Sequence, residues 1–421
     1  MFRNYYRRML CATNFDNGAN HYETVAVILV IGVVISMTRA FALTNLFEVL
    51  LWTLFLVNKN LRVLFINSLR DLRIAMVMFF WLWVTLSALW GSAPIFDRLE
   101  DVWSWRKLVL VPIVFALFTS EARKHLLGFS LIGVSSIYML FSWLGYMGVV
   151  ELDRSPSQLL ENHSTQGVLF SATGVLCWFY GRESNSLFLR SILGFILVGC
   201  ISNVFVVLTG RSGYLFLIVV MASCAYMQTP SKRFVSAGLV CLVIMIALSL
   251  FQNPRERVIQ AFDEVSESQS PDTELTSLGV RVVMWTNTIQ LISDKPVLGS
   301  GAGSFPNDYS KLVVNDNSWR GAVVDDPHQQ YLHIAAEYGL VGLMIFLASL
   351  ILILMTKRPT ASVNILLAKA FLLGTMANGF ANGHFSAFVE GRFVWIFVGA
   401  FLAGTEGVRL NTFMNSFRTR M

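Results

Sequence analysis

"YLHIAAEYGLVGLMIFLASLILILM", residues 331–355, decides what kind of chain this is. From Tyr338 onward it carries no charged side chain. About 20 apolar residues in a helix cross the ~30 Å hydrocarbon core of a bilayer. The entrance is different: "DDPHQQ", 325–330, sets two carboxylates, a proline, a histidine and two amides directly before the apolar run. Working outward, apolar stretches of similar length recur from end to end. The 421 residues are 55% hydrophobic and 14% charged, with a mean hydropathy of +0.60. A soluble domain carries roughly 25% charge, so a soluble globule is excluded and an all-α, polytopic membrane protein is expected.

Hydropathy predicts about twelve spans, near 23–40, 43–58, 72–90, 107–119, 125–149, 164–181, 187–208, 212–227, 234–251, 330–355, 362–381 and 390–405. Together they form a single integral membrane domain over residues 1–421. With both termini cytoplasmic, the cytosolic loops collect basic residues such as Arg7, Arg8, Lys59, Arg62, Arg123, Lys124, Lys232, Arg233, Lys357 and Arg358. Asp97, Glu100, Asp101, Glu151, Asp153 and Glu161 fall on the other side, the bias that the positive-inside rule requires. The basic N-terminus runs into the first span with no small-residue cleavage site, so no cleaved signal peptide is expected. Five cysteines, mostly within apolar runs and with no CxxC pair, speak against structural zinc and a disulfide framework.

This orientation makes residues 252–329 one large external loop. "PRERVIQAFDEVSE", 254–267, repeats Val258, Phe262 and Val265 as an amphipathic helix would. "VRVVMWTNTIQLIS", 280–293, does the same with Trp285, Ile289 and Ile292. "DKPVLGSGAGSFPNDY" follows, its Gly299, Gly301 and Gly303 acting as turn formers. Ser304 stands where a nucleotide fingerprint needs its last glycine, and no strand precedes it. No nucleotide and no nucleic acid is expected as a partner.

Three outer-side cations stand out. Arg211 in "LTGRSGYLF" sits in a tight connection beside Gly210 and Gly213. It reads either as a snorkelling cap or as an anion ligand at a helix start. Arg281 opens the second loop helix and reads as a surface arginine or a second ligand. His328 follows Asp326, read as an N-cap, and Pro327, suited to the first helical position. It is either a hydrogen-bonded interfacial histidine or a proton relay. Ala335, Ala336, Gly339 and Gly342 form a small face for helix packing. "LDRSPSQLLENHST" places Arg154, Asn162 and His163 at the outer start of the sixth span. "FANGHFSAFVEGRF" places Asn382, His384, Glu390 and Arg392 at the last external turn. Glu390 with Arg392, and Arg39 with Glu48, are expected to pair locally.

The order of Arg211, an arginine in "RVVMW", the "DKPVLGSGAGSF" turn and "HQQYLHIAAEYGLVG" resembles the bacterial O-antigen ligase and polymerase superfamily, and ligases most closely. The signature covers roughly 195–345, with the histidine segment its most specific part. The resemblance implies an inverting, GT-C-type glycosyltransferase of the bacterial inner membrane, working at the periplasmic face without metal, nucleotide or other cofactor. The implied donor is a glycan on undecaprenyl diphosphate and the acceptor is lipid A–core, with membrane lipids around a monomer. Arg211, Arg281 and His328 become the expected catalytic residues. Arg154, Asn162, Asp326, Gln329, Asn382, His384 and Arg392 become the expected substrate contacts. Rival readings are an O-antigen polymerase and a protein O-oligosaccharyltransferase, whose chains continue into a larger C-terminal region. A transporter or flippase is the rival from another class and would need ionisable groups at mid-membrane.

Overall fold

A computed structural model describes residues 21–251, 255, 277–316, 318–357, 362–405 and 407. Among these the regular elements are all helical. In chain order they are α1 (His21–Ser36), α2 (Phe41–Val57), α3 (Lys59–Ser68), α4 (Leu72–Ser87), α5 (Ile95–Ser104), α6 (Leu110–Leu117), α7 (Glu121–Tyr146), α8 (His163–Glu183), α9 (Leu187–Val206), α10 (Arg211–Gln228), α11 (Arg233–Leu250), α12 (Ser277–Asp294), α13 (Phe305–Val313), α14 (Gln330–Leu354), α15 (Val363–Asn378) and α16 (Phe388–Leu402). The expected amphipathic helix at 254–267 falls almost wholly outside the described residues.

Four helices, α7, α9, α11 and α14, are long and apolar enough to cross a bilayer, or five if α2 and α3, bent by 99° at Asn58, count as one span. The helices α1, α4 and α15 are apolar but shorter. Among the described residues this is the architecture of an all-helical membrane protein. Two helices interrupt the expected pattern. Asn58 caps α3 by accepting from the amides of Asn60 and Leu61, turning the chain away from α2. Pro94 precedes α5, on which Ile95, Phe96, Leu99 and Trp103 are exposed along one apolar stripe.

Burial is graded. Every residue of α16 from Val389 to Leu402 is buried, against α15, α6 and the ring-rich face of Phe371, Phe393, Phe397 and Phe401. In α11 only Ile244 and Leu248 are buried, while Phe234, Val235, Leu239, Leu242 and Val243 are exposed. Apolar side chains exposed along a whole helix are stable when the surrounding solvent is lipid.

The run that opened the sequence reading is broken. Within α14, Gly339 has φ 72° and ψ 177°, so the helix stops and restarts there. In an unbroken turn, Leu340 and Val341 would donate to Ala336 and Glu337. Here they donate to the carbonyls of Pro296 (2.8 Å) and Val297 (3.3 Å). Ala336 and Glu337 in turn accept from Ser300 (2.9 Å) and Gly301 (2.7 Å), and the Trp83 indole donates to Tyr338 at 3.0 Å. The glycine-rich turn therefore plugs the break, and its glycines do more than turn the chain. A Cβ on Gly301 would lie 2.3 Å from Gly91 Cα, and one on Gly339 2.1 Å from the Val297 oxygen. Gly339 thus breaks the helix and is not part of a packing stripe.

The charges differ most from expectation. Glu48 accepts from Arg392, at 2.5 Å (Nε) and 3.0 Å (Nη2), and lies 3.3 Å from Arg106, all three buried. Arg39, expected as its partner, is exposed in the turn before α2. Glu390 and Arg392 are two residues apart on α16 and project to different sides. Glu390 meets His384 and Thr165 instead. Ionisable groups are therefore buried in the bundle and do not only line its ends.

Gly339→Ala should destabilise the detergent-solubilised protein by about 2 kcal/mol or more, since an L-residue in this conformation costs roughly 1–2 kcal/mol and the added Cβ opens the plug. Gly194→Ala, where a Cβ meets nothing within 4 Å, should leave the melting temperature unchanged or higher.

Candidate functional site

His328 does not lie in the helix. The first residue of α14 is Gln330, and its N-cap is Gln329, whose side-chain oxygen accepts from Leu332 N at 2.6 Å. Asp326 caps a tighter unit: its Oδ1 accepts from the His328 amide at 2.5 Å and lies 3.2 Å from His328 Nδ1. Pro327 forces Asp326 out of the helical region, and His328 completes the reversal with φ 49°. Among the described residues only His328 and Glu161 (φ 77°) are non-glycine residues in this left-handed region. Such backbone strain clusters at functional sites.

The Asp326 hydrogen bond raises the His328 pKa above its ordinary 6.5; burial and the charge of Arg281 oppose the rise. Burial pushes Asp326 up, but the hydrogen bond and charge of His328 prevail and hold it near 2. Arg281, on α12, is thus near enough for its charge to act on His328. The Trp285 indole fixes the same junction by donating to the Pro327 carbonyl at 3.0 Å. The buried face of α12 is Met284, Thr288 and Leu291, and Ile289, read with Trp285 and Ile292 as one apolar face, is exposed.

Buried Gln330 ties this junction to the turn before α16. Its amide donates to the Gly379 carbonyl at 2.8 Å, and its side-chain oxygen accepts from Phe385 N at 3.0 Å. The same turn reaches two other helix starts. Asn382 donates to Ser212 Oγ at 2.8 Å, one residue past Arg211 in α10. His384 Nε2 lies 3.3 Å from Ser164 Oγ in α8, and its Nδ1 lies 3.4 Å from Glu390. His163 packs so closely on Gly210 that a Cβ there would fall 2.3 Å from the ring. The residues 379–387 thus link the starts of α8, α10 and α14.

Of the expected contacts, Asn382 and His384 belong to this hub, Arg211 adjoins Ser212, and Asp326, His328 and Gln329 directly precede Gln330 in the chain. Asn162 is the cap of α8, accepting from Thr165 N at 2.9 Å. Arg154 donates to the Glu161 carbonyl at 3.2 Å and props up the same loop. Arg392 is not at the site, being buried against Glu48. Sequence reading missed Gln330, whose role shows only in its long-range bonds, and Glu161. A cavity of about 630 Å3 opens between Trp52, Trp81, Trp103 and Arg106, and none of the expected site residues lines it.

Residues 193–347, less than half of the 421-residue chain, match the family model described as O-antigen ligase. That segment contains Arg211, Arg281, the glycine plug and His328. The chain is also 25% identical over 196 residues to an uncharacterized protein of Haemophilus influenzae, covering 44% of this chain and 46% of that protein. The chain thus spans about half the length of this relative. The match over residues 193–347 supports the likeness to the O-antigen ligase superfamily that the sequence carries.

Proposed function

We propose that the protein is an O-antigen ligase, moving a finished glycan from undecaprenyl diphosphate to lipid A–core at the periplasmic face of the inner membrane. The carrying observation is that the family-matched segment brings three basic residues near one turn: Arg211 is next to Ser212, which bonds Asn382, His328 is two residues before Gln330, which bonds Gly379 and Phe385, and the charge of Arg281 acts on His328. The acceptor oxygen bonds to the anomeric carbon as the carbon–oxygen bond to the diphosphate breaks. The electron pair stays on the departing undecaprenyl diphosphate, and the hydroxyl proton passes to a base. A single displacement of this kind inverts the anomeric configuration.

Negative charge grows on the leaving phosphate, so fixed cations lower the barrier more than they lower the ground state. Arg211 and Arg281 supply bidentate donors. His328 fits the same task, because Asp326 favours its protonated form. Strain at His328 is tolerable because Asp326, Gln330 and Trp285 over-determine the junction.

Purified protein with undecaprenyl-diphosphate glycan, lipid A–core and EDTA should form core-linked glycan. Elongation of the lipid-linked glycan instead would establish the polymerase reading. Arg211→Ala, Arg281→Ala and His328→Ala should each lower kcat/KM by about 100- to 1,000-fold while the protein still inserts. Full activity in all three would refute the assignment.

The Asp326–His328 pair also predicts a pH window. Raised on the histidine side, it stabilises fully below pH 6.5 and fades as pH rises through the His328 pKa. Depressed on the aspartate side, it is complete above pH 3.8 and fades as pH falls towards 2. In histidine-labelled protein, NMR titration should show Asp326→Asn lowering the His328 midpoint and Arg281→Gln raising it.

A further inference from the structure

The reading above leaves the base unassigned, and it uses His328 as a donor to the leaving phosphate, a task that Asp326 favours by stabilising the protonated ring. We propose that Glu161, resting on that same reading, accepts the proton of the incoming acceptor hydroxyl. Glu161 shares with His328 the left-handed backbone that no other described non-glycine residue adopts. Three contacts hold it there. Arg154 takes its carbonyl, Asn162 begins the cap of α8 on its next residue, and His163 packs against Gly210, the residue before Arg211. One carboxylate oxygen, Oε2, is buried with no hydrogen-bond partner. A buried acceptor without a donor is costly, and such an atom calls for a functional explanation. A hydroxyl donor from the acceptor sugar supplies the missing proton.

The surroundings suit the role. Burial and the charge of Glu390 push the Glu161 pKa up to about 7, against the pull of Lys107, Arg154 and Arg392. A base poised near the working pH transfers protons most effectively. Glu390 does not compete, because Thr165 donates to it at 2.7 Å and His384 lies beside it. Lys107 is likewise engaged by the carbonyls of Ser386 and Ala387. Of two neighbouring carboxylates, one is thus tied to donors and the other is available, the pattern that separates a structural from a working carboxyl group. The step balances: the proton goes to Glu161, the new bond forms at the anomeric carbon, and the electron pair leaves with the diphosphate.

The test is single-turnover transfer from undecaprenyl-diphosphate glycan to lipid A–core between pH 5 and 9. It compares wild type, Glu161→Gln and Glu161→Asp, each with a melting temperature within a few degrees of wild type. Wild-type rate should rise through about pH 7, and Glu161→Gln should lose that rise. Its kcat should fall by about 100-fold or more, with donor KM changed less than about threefold. Glu161→Asp should recover part of the rate with the rise displaced along the pH axis. A Glu161→Gln enzyme that keeps the rise and stays within about tenfold of wild-type kcat overturns the inference while leaving the ligase reading standing. Wild-type protein that transfers to neither acceptor overturns the ligase reading and this inference with it. Should Glu161→Gln not fold, Glu161→Asp alone decides: an undisplaced rise at wild-type rate refutes the role.

Discussion

A helix that stops inside a bilayer-sized apolar run must find other partners for the backbone groups it exposes. Each such group left unsatisfied in hydrocarbon costs several kcal/mol. At Gly339 the partners come from residues 296–301, the glycine-rich turn within the large loop. This exchange joins the family-matched loop to the last long helix, and the candidate site depends on it. Tyr338, next to the break, accepts from Trp83 through its carbonyl and from Trp105 through its hydroxyl, which fastens α4 and the residues after α5 to the same point. The first turns of α14 are thereby set at a fixed angle, and His328 lies two residues before them.

The second organising element is the turn 379–387, which has no regular structure over most of its length yet bonds three helix starts. Helix starts present unpaired N–H groups and a positive dipole end. Drawing those of α8, α10 and α14 together is what favours an anion at this turn in the proposed reading. Elsewhere in the bundle Glu48, Arg106 and Arg392 are buried together, with Glu48 between two guanidinium groups. Pairs of this kind are rarely a source of stability, but removing one member strands the others.

The all-helical membrane class was legible because apolar periodicity is a local property, while the choice of Arg211, Arg281 and His328 rested on short motifs. What failed was long-range or depended on one dihedral angle. Nothing near Glu48 in sequence announces Arg392, 344 residues away. Asp326 and Pro327 look like a helix start, yet the bonds from Gln330 to Gly379 and Phe385 fix a later one. Gly339 looked like a packing residue because its neighbours Ala335, Ala336 and Gly342 are small. Glu161 looks like any glutamate before an asparagine cap until its φ is known. Of the twelve expected spans, four or five correspond to described helices of full bilayer length, and three more to shorter apolar helices.

The contrast between α11 and α16 bears on how the chain can vary. Around α16 every position from 389 to 402 meets protein, so a change of shape there is felt by several neighbours at once. Along α11, where Ile244 and Leu248 alone are buried, most side chains meet only the surrounding medium. Phe251 just beyond it stacks on Phe205 at 5.6 Å, and Ser236 bonds Thr229 near its start, so the helix is tethered at both ends and loosely held between. Evolution is therefore free to exchange one oily side chain for another across α11, where composition is the constraint. In α16 the constraint is identity, and drift there requires compensating change in its neighbours.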